Sequence, residues 1–146
     1  MELTYKLISN AEGFEAFRTL LKSSGLPADD LNYQRDLLVG YYEGDQLVGT
    51  GALEVYEQFG LLRSLSVKLG IRGKSVGSTI ATYLIDEASK RKLKSIYLFT
   101  ETARGFFLKK GFVDSSRDQV PVAFQASSEY SHVCPTSAAV MKLDLH

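Results

Sequence analysis

The sequence lacks most of the features that would place it outside the ordinary globular proteins. It contains no tryptophan and a single cysteine, Cys134, so an internal disulfide framework is excluded. Seventeen basic residues balance 17 acidic ones, which leaves no net charge to attract DNA or RNA. No apolar run approaches the length of a membrane span, and the first residues, MELTYKLISNAEG, lack the core of a signal peptide. These absences predict a cytoplasmic protein with neither a nucleic-acid nor a membrane partner.

The length of 146 residues fits one domain, residues 1–146. In the first half, residues 3–9 alternate as a strand does, and residues 11–25 have helical spacing with Gly25 at the end. A short helical turn is predicted over residues 27–32. Three strand-like runs follow, separated by turn signals at residues 43–45 and 57–60, which predicts an antiparallel meander.

In the second half of the sequence, the spacing of the apolar residues changes. Val76, Ile80, Leu84 and Ala88 are spaced by four and predict an amphipathic helix over residues 76–92. The apolar run SIYLFT that follows is typical of a strand buried on both faces, so the strands before and after the helix should be parallel. A short helix ending at Gly111, a strand, a helix over 121–131 and a closing strand over 137–145 complete the chain. The pattern predicts a mixed α/β sheet, antiparallel at the start and parallel in the middle.

The stretch KLGIRGKSVGS between strand and helix contains GKS, the end of a nucleotide-binding P-loop. That motif needs a glycine five residues before Gly73, where this sequence has Lys68. The next strand also ends in Glu101 instead of the aspartate that helps to hold magnesium. A strand-to-helix turn with free N–H groups remains, which is either an anion site or a turn with incidental glycines.

Two motifs in this half resemble the GCN5-related N-acetyltransferase (GNAT) superfamily. Its signature [Q/R]-x-x-G-x-[G/A] lies between a bulged strand and a helix and matches residues 72–77, RGKSVG. A second element, alanine followed by F-[Y/F]-x-x-x-G-F, matches ARGFFLKKGF. The resemblance implies a GNAT fold: a mostly antiparallel α+β sheet with a central parallel pair splayed for coenzyme A and helices on both faces.

Shorter pieces are similar to the arsenic-resistance branch of that superfamily. They are GTGALEVY, LLRSLSV, GFFLKKGF, RDQVP and CPTSAAVMKL. This resemblance implies an acceptor that is an amino acid or an organoarsenical analogue of one. One cysteine cannot supply the several thiolates of a tight arsenite site, and His132 with Cys134 offers too few ligands for a structural zinc, so no metal is expected.

The resemblance also implies a site for acetyl-CoA as co-substrate. The residues expected to contact it are Leu65, Ser66, Val67, Arg72, Gly73, Lys74, Ser75, Val76, Gly77, Ser78, Phe107 and Lys109. A backbone amide at Leu65 or Ser66 is expected to polarise the thioester carbonyl. Two positions depart from the family. Ser75 replaces a glycine, and its hydroxyl is free to cap the helix or touch an oxygen. Phe107 replaces the tyrosine that protonates the departing thiolate, which puts that general-acid role in doubt.

Three residues are candidates for the acceptor side. Glu54 is the candidate general base, since a carboxylate can relay a proton from an ammonium through water; a solvated glutamate near a strand end is the alternative. Arg63 lies in an apolar run where an unpaired charge is costly, so it either pairs with Glu54 or binds an acceptor carboxylate, and the second is slightly favoured. Arg117 is a weaker candidate for that carboxylate and fits a surface position.

The sequence thus predicts an N-acetyltransferase. Acetyl would pass from acetyl-CoA to the primary amine of a small acceptor by direct attack in a ternary complex. A non-catalytic acyl-CoA-binding module or sensor on the same fold is the alternative, and acetylation of a protein N-terminus or lysine is a weaker one. A homodimer is also expected from the resemblance, because dimers are common among relatives.

Overall fold

A seven-stranded sheet organises the computed structural model, which describes residues 3–26, 28, 30–68, 75–100, 103–126 and 138–145, without the side chains of residues 125 and 126. The strands are β1 (Thr4–Leu7), β2 (Leu37–Glu43), β3 (Gln46–Tyr56), β4 (Phe59–Val67), β5 (Ser95–Thr100), β6 (Val113–Asp114) and β7 (Ala139–Asp144). The helices are α1 (Ala11–Ser23), α2 (Val76–Lys90) and α3 (Arg104–Lys109). Short 3-10 segments cover Arg117–Gln119 and Val122–Ala126.

The strand order is β1-β2-β3-β4-β5-β7-β6. All neighbouring strands run antiparallel except β4 and β5, which are parallel on either side of α2. The predicted mixed α/β sheet is therefore confirmed. Of the predicted helix over residues 121–131, residues 122–126 take the tighter 3-10 form, and residues 127–131 lie outside the described part of the chain.

Both ends of helix α1 are explained by residues of its sequence. The side chain of Asn10 accepts a hydrogen bond from the Gly13 N–H at 2.8 Å, which satisfies one of the free donors of the first turn. After Ser23 the chain turns through Gly25, whose φ of 73° lies in the left-handed region that glycine adopts without strain. The helix presents Phe17 and Leu21 to the sheet, and both are fully buried.

Residues that alternate along the strands divide the core between two faces. On the α2 face, Leu53 of β3 and Leu62 of β4 pack with Ile80 and Leu84 of α2. On the opposite face, called here the α1 face, Ala52 packs with α1. That face also carries an aromatic cluster formed by Leu61, Tyr97, Phe99, Val120, Phe124, Ala138 and Val140. Helices thus cover the α2 face and part of the α1 face.

Candidate functional site

Strand β4 contains a β-bulge beside its C-terminal end. Thr50 pairs with Ser66 and Ala52 pairs with Arg63, so two residues of β4, Ser64 and Leu65, lie opposite the single residue between them on β3. Ser64 has a φ of 63°, a left-handed conformation that serine rarely adopts. The Thr50 hydroxyl donates to the Ser64 carbonyl oxygen at 2.8 Å and holds the bulge from the neighbouring strand.

The bulge is followed by a gap between the two parallel strands. Among the described residues, β4 pairs with β5 only over Phe59–Leu61 and Ser95–Tyr97, whereas β5 pairs with β7 along its whole length. Residues 62–67 of β4 therefore diverge from the second half of β5. We call this opening the wedge. Leu65 and Val67, two of the predicted coenzyme contacts, lie on its β4 wall and pack partly against the α2-face core.

The N-terminus of α2 begins at the same end of β4. Ser75 precedes the helix with φ 64° and ψ 16°, and its side chain makes no capping hydrogen bond, so the cap suggested by the sequence is wrong. Glycine, the residue of the signature at this position, would adopt this positive φ without strain. The first turn, Val76 to Ser78, holds no acidic residue, so no carboxylate of that turn neutralises its N–H groups and the positive end of the helix dipole.

Of the other predicted coenzyme contacts, three lie outside the described residues and one is exposed. Arg72, Gly73 and Lys74 lie outside the described residues. Lys109 is exposed, and its contact with coenzyme stays a prediction. Its neighbour Lys110 donates to the Ser78 hydroxyl and, at 3.0 Å, to the Thr82 hydroxyl, which ties α3 to the first turns of α2.

Phe107 is a core residue of α3. It is 5% exposed, and its ring centroid lies 5.5 Å from that of Phe112 within the α2-face core. A buried phenyl ring donates no proton, so the acid role that relatives give to tyrosine has no counterpart at this position. The predicted contact of Phe107 with coenzyme remains a prediction.

A buried ionic cluster occupies the α1 face next to the bulge. Glu54 and Arg63 are 1% and 3% exposed, and the Arg63 Nη1 donates to the Glu54 Oε1 at 3.0 Å. The same Nη1 donates to the Asp30 Oδ2 at 2.7 Å. Buried charges are tolerated when they are paired in this way. Of the two predicted roles of Arg63, the structure shows the pairing with Glu54; binding of an acceptor carboxylate stays a prediction.

The second oxygen of Glu54 faces the edge of this cluster. The Tyr56 hydroxyl donates to the Glu54 Oε2 at 2.8 Å, and the Arg35 Nη2 lies 3.8 Å from the same oxygen. Arg35 is held by a bidentate bond to buried Asp36, with its Nε on Oδ1 at 3.0 Å and its Nη2 on Oδ2 at 2.9 Å. This bond raises the pKa of Arg35, so the guanidinium stays charged. Glu54 is therefore a buried, fully engaged carboxylate and not the solvated residue of the alternative prediction.

Arg117 reaches the α1 face from the other side of the wedge. Its guanidinium carbon lies 5.2 Å from the ring centroid of Phe99, on the second half of β5. Arg117 is half-buried by this stacking on an aromatic face. Its predicted contact with the acceptor is untested, but the structure places it on the same sheet face as Glu54 and Arg63.

Sequence reasoning missed Ser24, Asp30, Thr50 and Tyr56. The Ser24 hydroxyl lies 2.6 Å from the Ser66 hydroxyl, across 42 residues of sequence, and Asp30 meets Arg63 across 33 residues. No local pattern marks such contacts. The one available signal was Arg63 itself, because a charge inside an apolar run requires a partner somewhere in the chain.

An open cavity of about 370 Å³ lies beside the end of β4. It is lined by Ala16, Thr19, Leu20 and Ser23 of α1, by Leu47 of β3 and by Lys68. Open volume therefore lies on the α1 side of the strand that forms the wedge.

Two further features hold for the residues that the structure describes. None of their helices is long and apolar enough to span a membrane. Nor do their His, Cys, Asp and Glu side chains gather in a group of three that could hold a metal ion.

The fold is similar to that of solved acetyltransferases. A GNAT-family acetyltransferase from Staphylococcus aureus Mu50 matches with a TM-score of 0.81 and 16% identity over 99% of this chain and 100% of that one. N-acetylglutamate synthase from Neisseria gonorrhoeae, solved with coenzyme A and N-acetyl-glutamate, gives 0.79 and 15% over 100% of this chain and 36% of that one. The ribosomal-protein-S18-alanine N-acetyltransferase of Escherichia coli gives 0.73 and 14% over 99% and 94%.

The bulged strand, the wedge and the helix N-terminus beside it define an acyltransferase of the GNAT class. The chain belongs to the acetyltransferase (GNAT) family, whose model matches residues 7–112. Membership makes the protein an N-acetyltransferase with acetyl-CoA as its co-substrate, and both predictions are confirmed.

Proposed function

We propose that this enzyme acetylates the primary amine of a small, amino-acid-like acceptor by direct attack in a ternary complex. The observation that carries the proposal is the buried ionic cluster on the α1 face of β4, next to the bulge. It joins a carboxylate, Glu54, and a relay hydroxyl, Tyr56, both on β3, to Arg63, the residue that precedes the bulge. A wedge that held acetyl-CoA only for storage would not need buried charges at this position.

The residues present fit acetyl-CoA, which supplies the acetyl group as a thioester when it is bound. The amides of Val76, Gly77 and Ser78 at the start of α2 suit the pyrophosphate. Arg72, Gly73 and Lys74, which the sequence predicts to take part, lie outside the described residues. Leu65, Ser66 and Val67 form the strand edge along which the pantetheine would lie. The peptide at Leu65 or Ser66, at the bulge, is the donor for the thioester carbonyl.

Glu54 is the base in this proposal. Both of its carboxylate oxygens accept hydrogen bonds, one from Arg63 and one from Tyr56. A proton therefore reaches it through the Tyr56 hydroxyl, which hands its own proton to Glu54 and takes one from the acceptor ammonium or an intervening water. Because Arg63 already serves two carboxylates, Arg117 is the better cation for an acceptor carboxylate.

The proposal that the acceptor is amino-acid-like is based on the sequence. The arsenic-resistance resemblance makes an organoarsenical amino acid one member of the class to be tested. The single cysteine and the balanced charge support a cytoplasmic enzyme without a nucleic-acid partner, and a homodimer remains part of the proposal.

One observation favours a second function. Phe107 is buried and cannot protonate the coenzyme thiolate, so the thiolate leaves unprotonated or takes a proton from water or from another residue. An acyl-CoA sensor would need no such proton.

Two measurements test the proposal. Calorimetry with acetyl-CoA should show binding, and its absence would contradict the coenzyme site. A panel of amino acids, an organoarsenical amino acid, simple amines and N-terminal peptides is then assayed by thiol release. Turnover of the amino acids, with KM raised in Arg117→Ala for carboxylate-bearing acceptors alone, supports the proposal. Binding without turnover of any amine supports the sensor, and turnover of peptides alone moves the acceptor to a protein N-terminus.

A further inference from the structure

Two long-range contacts enclose the bulge of β4 on its α1 face. Before the bulge, the Arg63 Nη1 donates to the Asp30 Oδ2 at 2.7 Å. After it, the Ser66 hydroxyl meets the Ser24 hydroxyl at 2.6 Å. We call these four residues the bulge bracket. Ser24 and Asp30 thus meet β4 on opposite sides of the bulge, Ser64–Leu65.

Each end of the bracket is fixed in its own neighbourhood. Ser24 is the C-cap residue of α1, and its N–H bonds to the carbonyls of the last turn at Leu21 and Lys22. The backbone carbonyl of Asp30 accepts from the Arg35 Nη2 at 3.1 Å, and Arg35 is itself held by buried Asp36. The bracket therefore ties β4 to two ordered anchors, a helix end and an ion pair.

The strand partners of the bracket are buried. Ser66 is 5% exposed and Arg63 is 3% exposed, so neither side chain can exchange its partner for bulk water. Between them, Ser64 holds a left-handed conformation that a non-glycine residue keeps only when its surroundings impose it. The Thr50 hydroxyl supports the Ser64 carbonyl from β3, and the bracket supports the residues on either side.

We propose that Ser24 and Asp30 are positioning residues for acetyl transfer. They act through Ser66 and Arg63 to hold the peptide groups of the bulge in the orientation that serves the thioester carbonyl. Neither residue touches the reacting atoms. The catalytic part of this inference rests on the proposed function, whereas the restraint on the bulge does not.

The restraint is tested in the full chain by amide hydrogen exchange at Leu65 and Ser66. Ser24→Ala removes one contact, and Asp30→Asn removes the charge of the other while keeping its shape. Asp114→Asn is the matched control, because it breaks the ion pair of Asp114 with Arg104, outside the bracket. Exchange at the two bulge amides should rise by about 10-fold or more in each bracket variant, as expected when local opening becomes easier, and stay unchanged in the control.

The catalytic consequence is measured with the best amine of the panel. kcat should fall by about 10-fold or more in each bracket variant, since small misplacements of catalytic groups have effects of this size, while KM for acetyl-CoA stays within about threefold. A lost fold would instead lower the active fraction and leave kcat per active site unchanged.

Unchanged exchange at Leu65 and Ser66 in both variants would overturn the inference, and so would faster exchange with an unchanged kcat. If the unmodified enzyme acetylates no amine, the proposed function fails, and the exchange result alone decides whether the bracket restrains the bulge. Ser24→Ala removes one half-exposed hydroxyl and keeps the test valid if Asp30→Asn does not fold.

Discussion

The two faces of β4 differ in the kind of side chain that neighbouring residues 62 and 63 bury. On the α2 face, Leu62 packs with α2 in a core of aliphatic and aromatic side chains. On the α1 face, the next residue, Arg63, is equally buried but lies between two carboxylates. At these two positions, one face is held by area removed from water and the other by paired charges.

This difference corresponds to two different binding roles on the two sides of the wedge. The α2 side offers mainly backbone groups, the N–H groups of a helix end, and these suit the phosphates common to every coenzyme A ester. The α1 side offers charged and hydroxyl side chains, whose identity can change from one enzyme to another. The fold alone therefore does not name the acceptor, as the matches to enzymes named for N-acetylglutamate and for a ribosomal protein illustrate.

The largest expected effect comes from removing the cation of the α1 face. Arg63→Met leaves Glu54 and Asp30 without this partner, and breaking a buried pair costs about 3–5 kcal/mol of unfolding free energy. Equilibrium unfolding in urea measures the loss. Arg104→Met, which breaks an exposed ion pair, should leave the midpoint unchanged.

A double variant separates lost charge pairing from lost packing. Adding Glu54→Gln to Arg63→Met should recover part of the stability, because one of the unpaired buried charges is then gone. If the stability losses of the two single variants simply added up to the loss of the double variant, Arg63 and Glu54 would not be a coupled pair.

The next effect is on catalysis. Glu54→Gln keeps the shape of the side chain but cannot take up a proton, so kcat should fall about 100-fold, the usual lower range for acid–base catalysis. The rise of kcat with pH on the alkaline side should flatten, and acetyl-CoA affinity measured by calorimetry should not change. An unaltered pH–rate profile would remove Glu54 from the base role.

The third prediction probes how closely α2 packs on the bulge region. A Cβ at Gly51, opposite the bulge, would lie 2.5 Å from the Ile80 Cγ2 and 2.8 Å from the Leu84 Cδ1. Gly51→Ala should therefore cost about 1–3 kcal/mol by overpacking, measured by urea unfolding. Gly105→Ala is the control. Apart from its chain neighbours and its own helix backbone, no atom of the described residues lies within 4 Å of a Cβ at this position, and alanine favours a helix over glycine by up to about 1 kcal/mol. If Gly51→Ala and Gly105→Ala lowered the unfolding free energy equally, close packing at Gly51 would be contradicted.

The two faces also differ in how far the sequence predicted them. The βαβ unit and the start of α2 were predictable because their signals, the spacing of Val76 to Ala88 and the glycines before it, are local. The ionic cluster was not, since Asp30 meets Arg63 across 33 residues and only the folded sheet brings them together. The left-handed Ser64 was equally hidden, because serine carries no preference for that conformation. That Arg63 must be paired followed from the free-energy cost of burying an unpaired charge. The identity of its partners did not follow from the sequence.

The smallest expected effect concerns Ser75, where backbone and side chain make separate predictions. Its φ of 64° costs a non-glycine residue about 1–2 kcal/mol, and the extra chain entropy of glycine offsets about half of that. Ser75→Gly should therefore raise the unfolding free energy by about 0.5–1 kcal/mol. Ser75→Ala keeps the strain and should leave stability unchanged, because the hydroxyl makes no capping bond.

Calorimetry with acetyl-CoA then decides what Ser75 contributes to the coenzyme site. If the pyrophosphate is held by backbone amides alone, both variants should bind within about threefold of the unmodified enzyme, less than 1 kcal/mol. If the hydroxyl binds a phosphate oxygen, both variants should weaken binding by the same larger factor. Weaker binding in Ser75→Gly but not in Ser75→Ala would show instead that the rigid left-handed turn orients the amides. The comparison thus tests whether the α2 side of the wedge recognises its ligand without side chains.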